Sequence, residues 1–149
     1  MPVPIQTLPG RRPATRAKRL LVVEDECLVA LAIADSLIEL GYNIVGPAFT
    51  LAEARRLAAA APIDAALIDI TLDGVRADDV IEILSRRRIP FLFVTGRDRL
   101  PVNFPSTVDV LKKPFGHHDL ERAVTGLLAT GPANPLRHGR RGPMTEAFR

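Results

Sequence analysis

Residues 65–74 read Ala-Ala-Leu-Ile-Asp-Ile-Thr-Leu-Asp-Gly, and this stretch constrains the fold more than any other part of the sequence. Four apolar residues, without polar alternation, lead directly into the carboxylate of Asp69. A short apolar run bounded by turn-forming residues, here Pro62 and Gly74, is typical of a strand buried on both faces of a parallel sheet. Because parallel sheets bind ligands outside the carboxyl ends of their strands, Asp69 is predicted to lie at a ligand-binding edge.

Apolar runs and helical patterns alternate along the rest of the chain. The predicted strands are 19–24, 43–48, 64–69, 90–95 and 108–112, and the predicted helices are 27–40, 51–60, 77–87 and 117–128. Such alternation predicts a parallel sheet with helices on both faces. The exception is the segment 97–107, which contains two prolines and few helix formers. A loop or a single turn is expected there, so the fourth helix would be short or absent.

Charge divides the chain of 149 residues into three parts. The net charge is +3, but residues 1–18 carry +4 and residues 130–149 carry +3, which leaves −4 for residues 19–129. The proline-rich start and the Gly/Pro/Arg-rich end show no periodicity, so both are predicted to be disordered basic tails. Residues 19–129 are predicted to form one folded, acidic domain, for which a hydrophobic content of 47% is sufficient.

Composition also bears on location. No apolar run reaches the roughly 18–20 residues of a membrane span, and the N-terminus lacks the apolar core of a signal peptide. A single cysteine, Cys27, excludes an internal disulfide and fits a reducing compartment, where its expected role is that of a small buried hydrophobe. We expect a cytoplasmic protein.

Polar side chains follow four of the predicted strands. Glu24 ends the first strand and Asp25 follows it, and Asp69 ends the third. Thr95 ends the fourth strand, and Lys113 follows the fifth. Clustered carboxylates repel one another and usually need a cation, and hard oxygen ligands favour Mg²⁺ or Ca²⁺. An acidic metal pocket is therefore predicted at this edge of the sheet.

Three carboxylates, one hydroxyl and one ammonium group suit phosphoryl transfer to a carboxylate. Asp69 is the candidate nucleophile, since an aspartate can form an acyl phosphate. The acidic pair would hold Mg²⁺, with the backbone carbonyl of Thr71 as a further ligand. Lys113 would add positive charge, and Thr95 would donate a hydrogen bond to the new phosphoryl group.

Over residues 19–129 the sequence resembles the receiver domain of two-component response regulators. The residues that carry the resemblance are Glu24, Asp25, Asp69, Thr95 and the pair Lys113-Pro114. The resemblance implies the flavodoxin-like, doubly wound fold of the chemotaxis regulators, with five parallel strands in the order 2-1-3-4-5. It also implies a phosphoprotein of a phosphorelay, whose only chemistry is Mg²⁺-dependent phosphotransfer to itself and dephosphorylation. The family's usual switch aromatic, three residues before the lysine, is replaced by Val110.

The segment Pro90-Phe91-Leu92-Phe93-Val94-Thr95-Gly96 resembles the signature of a stand-alone receiver subgroup known as FAT GUY. This implies a sensor histidine kinase of the HWE or a related type, or a histidine phosphotransfer protein, as phosphoryl donor. Output would pass through a downstream protein partner, or the domain would drain phosphoryl groups from a kinase. We expect a monomer or weak homodimer, without nucleic-acid or membrane binding.

Two other functions remain open from the residues alone. A receiver-like module could bind its partner without phosphorylation. An aspartate-nucleophile phosphohydrolase would want a second aspartate two residues after the nucleophile, where this chain has Thr71. The run from Asp69 to Gly74 also imitates a Ca²⁺-binding EF-hand loop, but position twelve of that loop would be Val80 instead of glutamate.

Overall fold

A computed structural model describes residues 15–96 and 108–130 of the protein. Within them the chain alternates strands and helices, as the sequence predicts. The elements are β1 (Arg19–Val23), α1 (Cys27–Glu39), β2 (Asn43–Ala48), α2 (Leu51–Ala60), β3 (Ala65–Asp69), β4 (Thr71–Leu72), β5 (Val75–Arg76), α3 (Asp78–Arg86), β6 (Phe91–Thr95), β7 (Val110–Lys112) and α4 (His117–Thr130). None of these helices has the length and apolar composition of a membrane span.

Five parallel strands form the main sheet, in the order β2-β1-β3-β6-β7. Since β4 and β5 form a separate two-stranded sheet, β6 and β7 are the fourth and fifth strands of the main sheet, and the predicted order 2-1-3-4-5 is confirmed. The register aligns Asp69 with Val94 and Thr95 with Lys112. The carboxyl ends of the central strands therefore meet at one edge.

Helices cover both faces of the sheet, as predicted. One layer, here called the α2/α3 layer, is built on alternate strand residues and contains Leu21, Ile68, Phe93, Ala54, Ala58, Val80 and Leu84. The opposite α1/α4 layer uses the intervening strand residues and contains Leu20, Leu67, Leu92, Ile33, Leu37, Leu120 and Val124. Successive residues of a strand point to opposite faces, so an uninterrupted apolar run is what a sheet covered on both sides requires.

Side chains close both ends of α2. At its start Thr50 Oγ1 accepts a hydrogen bond from the Glu53 N–H (3.2 Å), so Thr50 is the N-cap of the helix. The Glu53 carboxylate accepts in return from the N–H of Phe49. At its end the Arg87 guanidinium, just beyond α3, donates to the carbonyls of Ala58 and Ala61. Arg87 thereby ties α2 to α3 through carbonyls that have no partner within the helix.

A small hairpin, β4–β5, follows β3 directly. Its turn residues Asp73 (φ 49°) and Gly74 (φ 77°) both have positive φ, as in the type I′ turns of two-residue hairpins. Turn formation at Asp73-Gly74 follows from the residue types. The two flanking strands were not predicted, because strands of two residues are too short to show a period.

Two further differences concern β7 and Cys27. β7 begins at Val110 instead of residue 108, although Val108 is buried. The prediction that Cys27 is buried is wrong. Cys27 is exposed, at the first position of α1 next to the acidic edge.

The predicted short or absent fourth helix lies in residues 97–107. Most of the two tails that are predicted to be disordered lies in residues 1–14 and 131–149. These segments lie outside the described residues.

Candidate functional site

Three carboxylates converge where β1 and β3 end. Glu24 and Asp25 follow β1, and Asp69 is the last residue of β3. One oxygen from each of them lies within 4.8 Å of the others. Glu24 is almost fully buried, with a relative exposure of 1%. Glu24 and Asp69 lie side by side because β1 and β3 pair in register up to Val23 and Ile68.

Lys113 places an ammonium group among these carboxylates. Its Nζ lies 2.7 Å from Oε2 of Glu24 and 3.5 Å from Oδ2 of Asp69. The side chain arrives from the far side of the sheet edge, because β7 ends one residue earlier. The Lys113 N–H also donates to the Thr95 carbonyl at 2.7 Å, which fixes the backbone of the lysine against the end of β6. One cation therefore contacts two of the three acids.

Backbone N–H groups hold each carboxylate in place. The Glu26 N–H donates to Glu24 Oε1 at 3.2 Å. The hairpin supplies the other two donors: the Thr71 N–H to Asp69 Oδ1 at 3.3 Å, and the Asp73 N–H to Asp25 Oδ2 at 2.8 Å. Each carboxylate can accept such a bond and still offer lone pairs to a cation.

Burial and mutual repulsion perturb the acids unequally. Burial raises the pKa of Glu24 to about 7; the hydrogen bond from Lys113 opposes this rise and the charge of Asp69 adds to it. Burial would also raise the pKa of Asp25, but hydrogen bonds, first among them the one from the Asp73 N–H, hold that pKa below its usual value. Burial would lower the pKa of Lys113, yet its contacts with Glu24 and Asp69 raise it. The cluster therefore concentrates negative charge that a further cation would stabilise.

This donor set fits a hard divalent cation. Carboxylate oxygens are the ligands that Mg²⁺ and Ca²⁺ prefer, and Glu24, Asp25 and Asp69 form the group of potential ligands found in the described part of the chain. The Thr71 carbonyl, predicted as a fourth ligand, belongs to the residue that begins β4, two positions after Asp69. Its role as a ligand stays a prediction.

Thr95 is the last residue of β6 and is buried, with an exposure of 3%. It lies one residue beyond Val94, the partner of Asp69 in the neighbouring strand. The structure thus places Thr95 at the same edge as the acids, and the hydrogen bond from its hydroxyl to a phosphoryl group stays a prediction.

The sequence did not reveal the Asp73 N–H as a donor to Asp25. The Asp-Gly pair was its only signal, and that pair indicates a turn without indicating what the turn contacts.

The fold and the site together identify the class of protein. The fold is a doubly wound parallel sheet, and the site gathers three acids, a lysine and a threonine at the ends of its strands. The chain belongs to the response regulator receiver family. It is 36% identical to SdrG from Sphingomonas melonis Fr1, with a TM-score of 0.67, over 75% of this chain and 97% of that one. It is 30% identical to the response regulator PhyR from Brucella abortus, with a TM-score of 0.65, over 76% of this chain and 49% of that one.

Other comparisons set the limits of this assignment. The chain is 34% identical over 114 residues to the transcriptional regulatory protein PdtaR of Mycobacterium tuberculosis, which covers 72% of this chain and 55% of that protein. It spans about half the length of the curated relatives that it matches. The receiver domain of the sensor histidine kinase PA1611 from Pseudomonas aeruginosa PAO1, which holds a magnesium ion in its active-site cleft, shares the fold at 23% identity and a TM-score of 0.63, over 76% of this chain and 98% of that one. No protein-family model matches the chain.

Proposed function

We propose that this protein is a response regulator receiver that accepts a phosphoryl group on Asp69 in a Mg²⁺-dependent step. The observation that carries the proposal is the position of Asp69, which ends β3 beside two other carboxylates and 3.5 Å from the Lys113 ammonium. Its side chain is 14% exposed, so a donor phosphoryl group can reach it from solvent. Membership of the receiver family supports the same role.

The proposed step transfers a phosphoryl group from a phosphohistidine of a partner protein. An oxygen of the Asp69 carboxylate attacks phosphorus, and the P–N bond breaks. The electron pair of that bond returns to the imidazole nitrogen of the donor. The product is an acyl phosphate, whose added negative charge lies next to Lys113. Thr95, at the end of the adjacent strand, would donate its hydroxyl hydrogen to a phosphoryl oxygen.

Glu24, Asp25, Asp69 and the Thr71 carbonyl would hold Mg²⁺. When bound, the ion would supply the charge neutralisation that brings an anionic phosphoryl group to an acidic pocket. The close approach of the three carboxylates, and the raised pKa of Glu24, support such a site. The residues of this chain position the acceptor: the Thr71 N–H orients Asp69, and Lys113 offsets its charge.

The partners follow from the family and from the resemblance to the FAT GUY subgroup. Receiver domains work with kinases and downstream proteins, and here the donor would be an HWE-type sensor histidine kinase or a histidine phosphotransfer protein. Output would pass through a protein contact, or the domain would act as a phosphate sink. Residues 19–129 would be the receiver, with basic tails at 1–18 and 130–149, in a cytoplasmic protein.

Phosphotransfer with radiolabelled phosphate tests the proposal. The labelled donor is a histidine kinase encoded near the gene for this protein, and the acceptors are the wild type and Asp69→Asn. We expect label on the wild type in the presence of Mg²⁺, none after chelation, and none on Asp69→Asn. Label retained on Asp69→Asn would refute the acceptor assignment.

Two further assays separate the alternatives. Rapid multiple turnovers of small phosphoesters would favour a phosphohydrolase. A partner affinity that is equal with and without Mg²⁺ and beryllofluoride, which mimics an acyl phosphate, would favour a phosphorylation-independent binding module. We expect neither result, because the acid that a phosphohydrolase needs is replaced by Thr71 and because the acceptor cluster is intact.

A further inference from the structure

The β4–β5 hairpin touches two of the three acids with its backbone. It begins two residues after Asp69, and its first residue, Thr71, donates its N–H to Asp69 Oδ1. Its turn reaches across to β1, where the Asp73 N–H donates to Asp25 Oδ2. The bond from Asp73 is the shorter of the two, at 2.8 Å against 3.3 Å. One six-residue element therefore spans from the end of β3 to the end of β1.

A metal ligand that accepts a fixed hydrogen bond is already held in one orientation. Binding of the ion then loses less conformational entropy, because the ligand is ordered beforehand. Asp25 depends on such support because it follows β1 outside the sheet ladder, whereas Glu24 is packed inside the protein. A backbone donor is suited to this task, since its direction is set by the turn and not by a mobile side chain.

We infer that the Asp73-Gly74 turn positions Asp25, so that the conformation of this hairpin sets the affinity of the acidic cluster for Mg²⁺. This inference rests on the proposed function, because it takes Asp25 as a ligand of the ion. Asp73 and Gly74 act through Asp25 and are positioning residues.

Because of this turn, the affinity for Mg²⁺ should depend specifically on Gly74. Gly74 has φ +77°, a region that glycine enters freely, asparagine enters at modest cost and β-branched residues avoid. A Cβ placed on Gly74 would meet no atom within 4 Å. A substitution at Gly74 therefore changes the preferred backbone conformation without a steric clash. At Asp73 the side chain is not needed, because the hydrogen bond to Asp25 is donated by the backbone N–H.

Calorimetric titration of the full-length protein with MgCl₂ tests the inference. We expect Gly74→Val to weaken Mg²⁺ binding about tenfold, the size typical of losing an outer-shell contact to a metal ligand. Gly74→Asn, the matched control, is expected to bind within about twofold of the wild type because asparagine accepts a type I′ turn. Asp73→Asn should also bind like the wild type, since it keeps the N–H.

The outcomes distinguish this inference from the proposed function. If the wild type binds Mg²⁺ and Gly74→Val binds it equally well, the positioning role is overturned while the metal site stands. If the wild type binds no Mg²⁺, the proposed function itself fails and the inference falls with it. A weaker affinity in Gly74→Val alone supports the inference.

A second measurement covers the case in which Gly74→Val does not fold. Amide hydrogen exchange of Asp73 is followed by NMR in the wild type and in Asp25→Ala, without metal. Asp73 is exposed, so protection of its amide in the wild type would come from the bond to Asp25. We expect exchange to accelerate in Asp25→Ala. Equal exchange rates in the two proteins would overturn the inference.

Discussion

The ammonium nitrogen of Lys113 lies 2.7 Å from a carboxylate oxygen of Glu24, and that carboxylate is 99% removed from solvent. The pair joins the end of β7 to the end of β1, the two ends farthest apart among those that form the site. Since a buried charge without a partner is costly, Glu24 depends on this lysine whenever no metal ion is bound.

Lys113→Met is therefore expected to destabilise the metal-free protein by about 3 kcal/mol, the scale of removing one partner from a buried ion pair. Urea denaturation at pH 8 with a chelator measures it. The double variant Glu24→Gln/Lys113→Met should recover part of the loss, because the amide carries no charge that needs compensation. A double variant no more stable than Lys113→Met would contradict the assigned pairing.

Magnesium is expected to stabilise the folded protein. At a concentration one hundred times its dissociation constant, a ligand specific to the folded state adds about 2.7 kcal/mol to the free energy of unfolding. We expect thermal unfolding of the wild type to shift upward by several degrees with MgCl₂. In Asp25→Asn, which lacks one carboxylate of the cluster, the shift should be much smaller. KCl at matched ionic strength is the control, and an equal shift with KCl would attribute the effect to screening.

We expect Asp78 to lower stability at neutral pH despite its place in the first turn of α3. Burial raises its pKa; the charge of Arg76 opposes the rise and that of Asp79 adds to it, and Oδ1 is buried without a hydrogen-bond partner among the described residues. A carboxyl whose pKa is higher in the folded state costs stability above that pKa. The cost disappears as pH falls below the value of the unfolded chain, about 3.9.

Asp78→Asn is accordingly expected to raise the free energy of unfolding at pH 7 by less than about 1 kcal/mol, with the gain vanishing by about pH 3. Denaturation at the two pH values measures this. Asp79→Asn is the comparison: Asp79 is exposed and paired with Arg55, so its removal should give no gain at pH 7. A less stable Asp78→Asn protein at pH 7 would show that the helix dipole outweighs burial.

Arg87 and Arg86 are neighbours in sequence with different structural roles. Arg87 donates to two carbonyls at the end of α2, whereas Arg86 forms an exposed pair with Glu82 on its own helix. We expect Arg87→Ala to cost about 1–2 kcal/mol, as for a charge-assisted hydrogen bond, and Arg86→Ala to cost less than about 0.5 kcal/mol. Chemical denaturation of the two variants measures the difference. Equal losses would mean that the link between α2 and α3 contributes nothing.

Much of the sheet can be predicted from the sequence, because a strand that is covered on both faces must be apolar at successive positions. That rule identifies β1, β3 and β6 directly. The place of Asp69, Thr95 and Lys113 at one edge then follows, because parallel strands end on the same side. The short edge strand β7 is less well defined, since two of its three residues are exposed.

The features that could not be predicted from the sequence are mainly hydrogen bonds donated by the backbone. The N–H groups of Thr71 and Asp73 orient two acids, but a backbone donor is present at every residue except proline and leaves no trace in residue type. The hairpin was missed for a related reason, because its strands are shorter than any period. The exposure of Cys27 depends on which side of α1 faces outward, and a residue at a helix start is poorly constrained by the apolar pattern.

The separation of the interior into an α2/α3 layer and an α1/α4 layer has a consequence for how this domain tolerates change. Leu67 and Ile68 are neighbours in one strand, yet they belong to different layers, which have no buried side chain in common among the residues that the structure describes. Losses of stability from substitutions in the two layers should add where the two sites are more than about 10 Å apart. The packing beneath α1 and α4 can therefore change while the packing beneath α2 and α3 stays as it is.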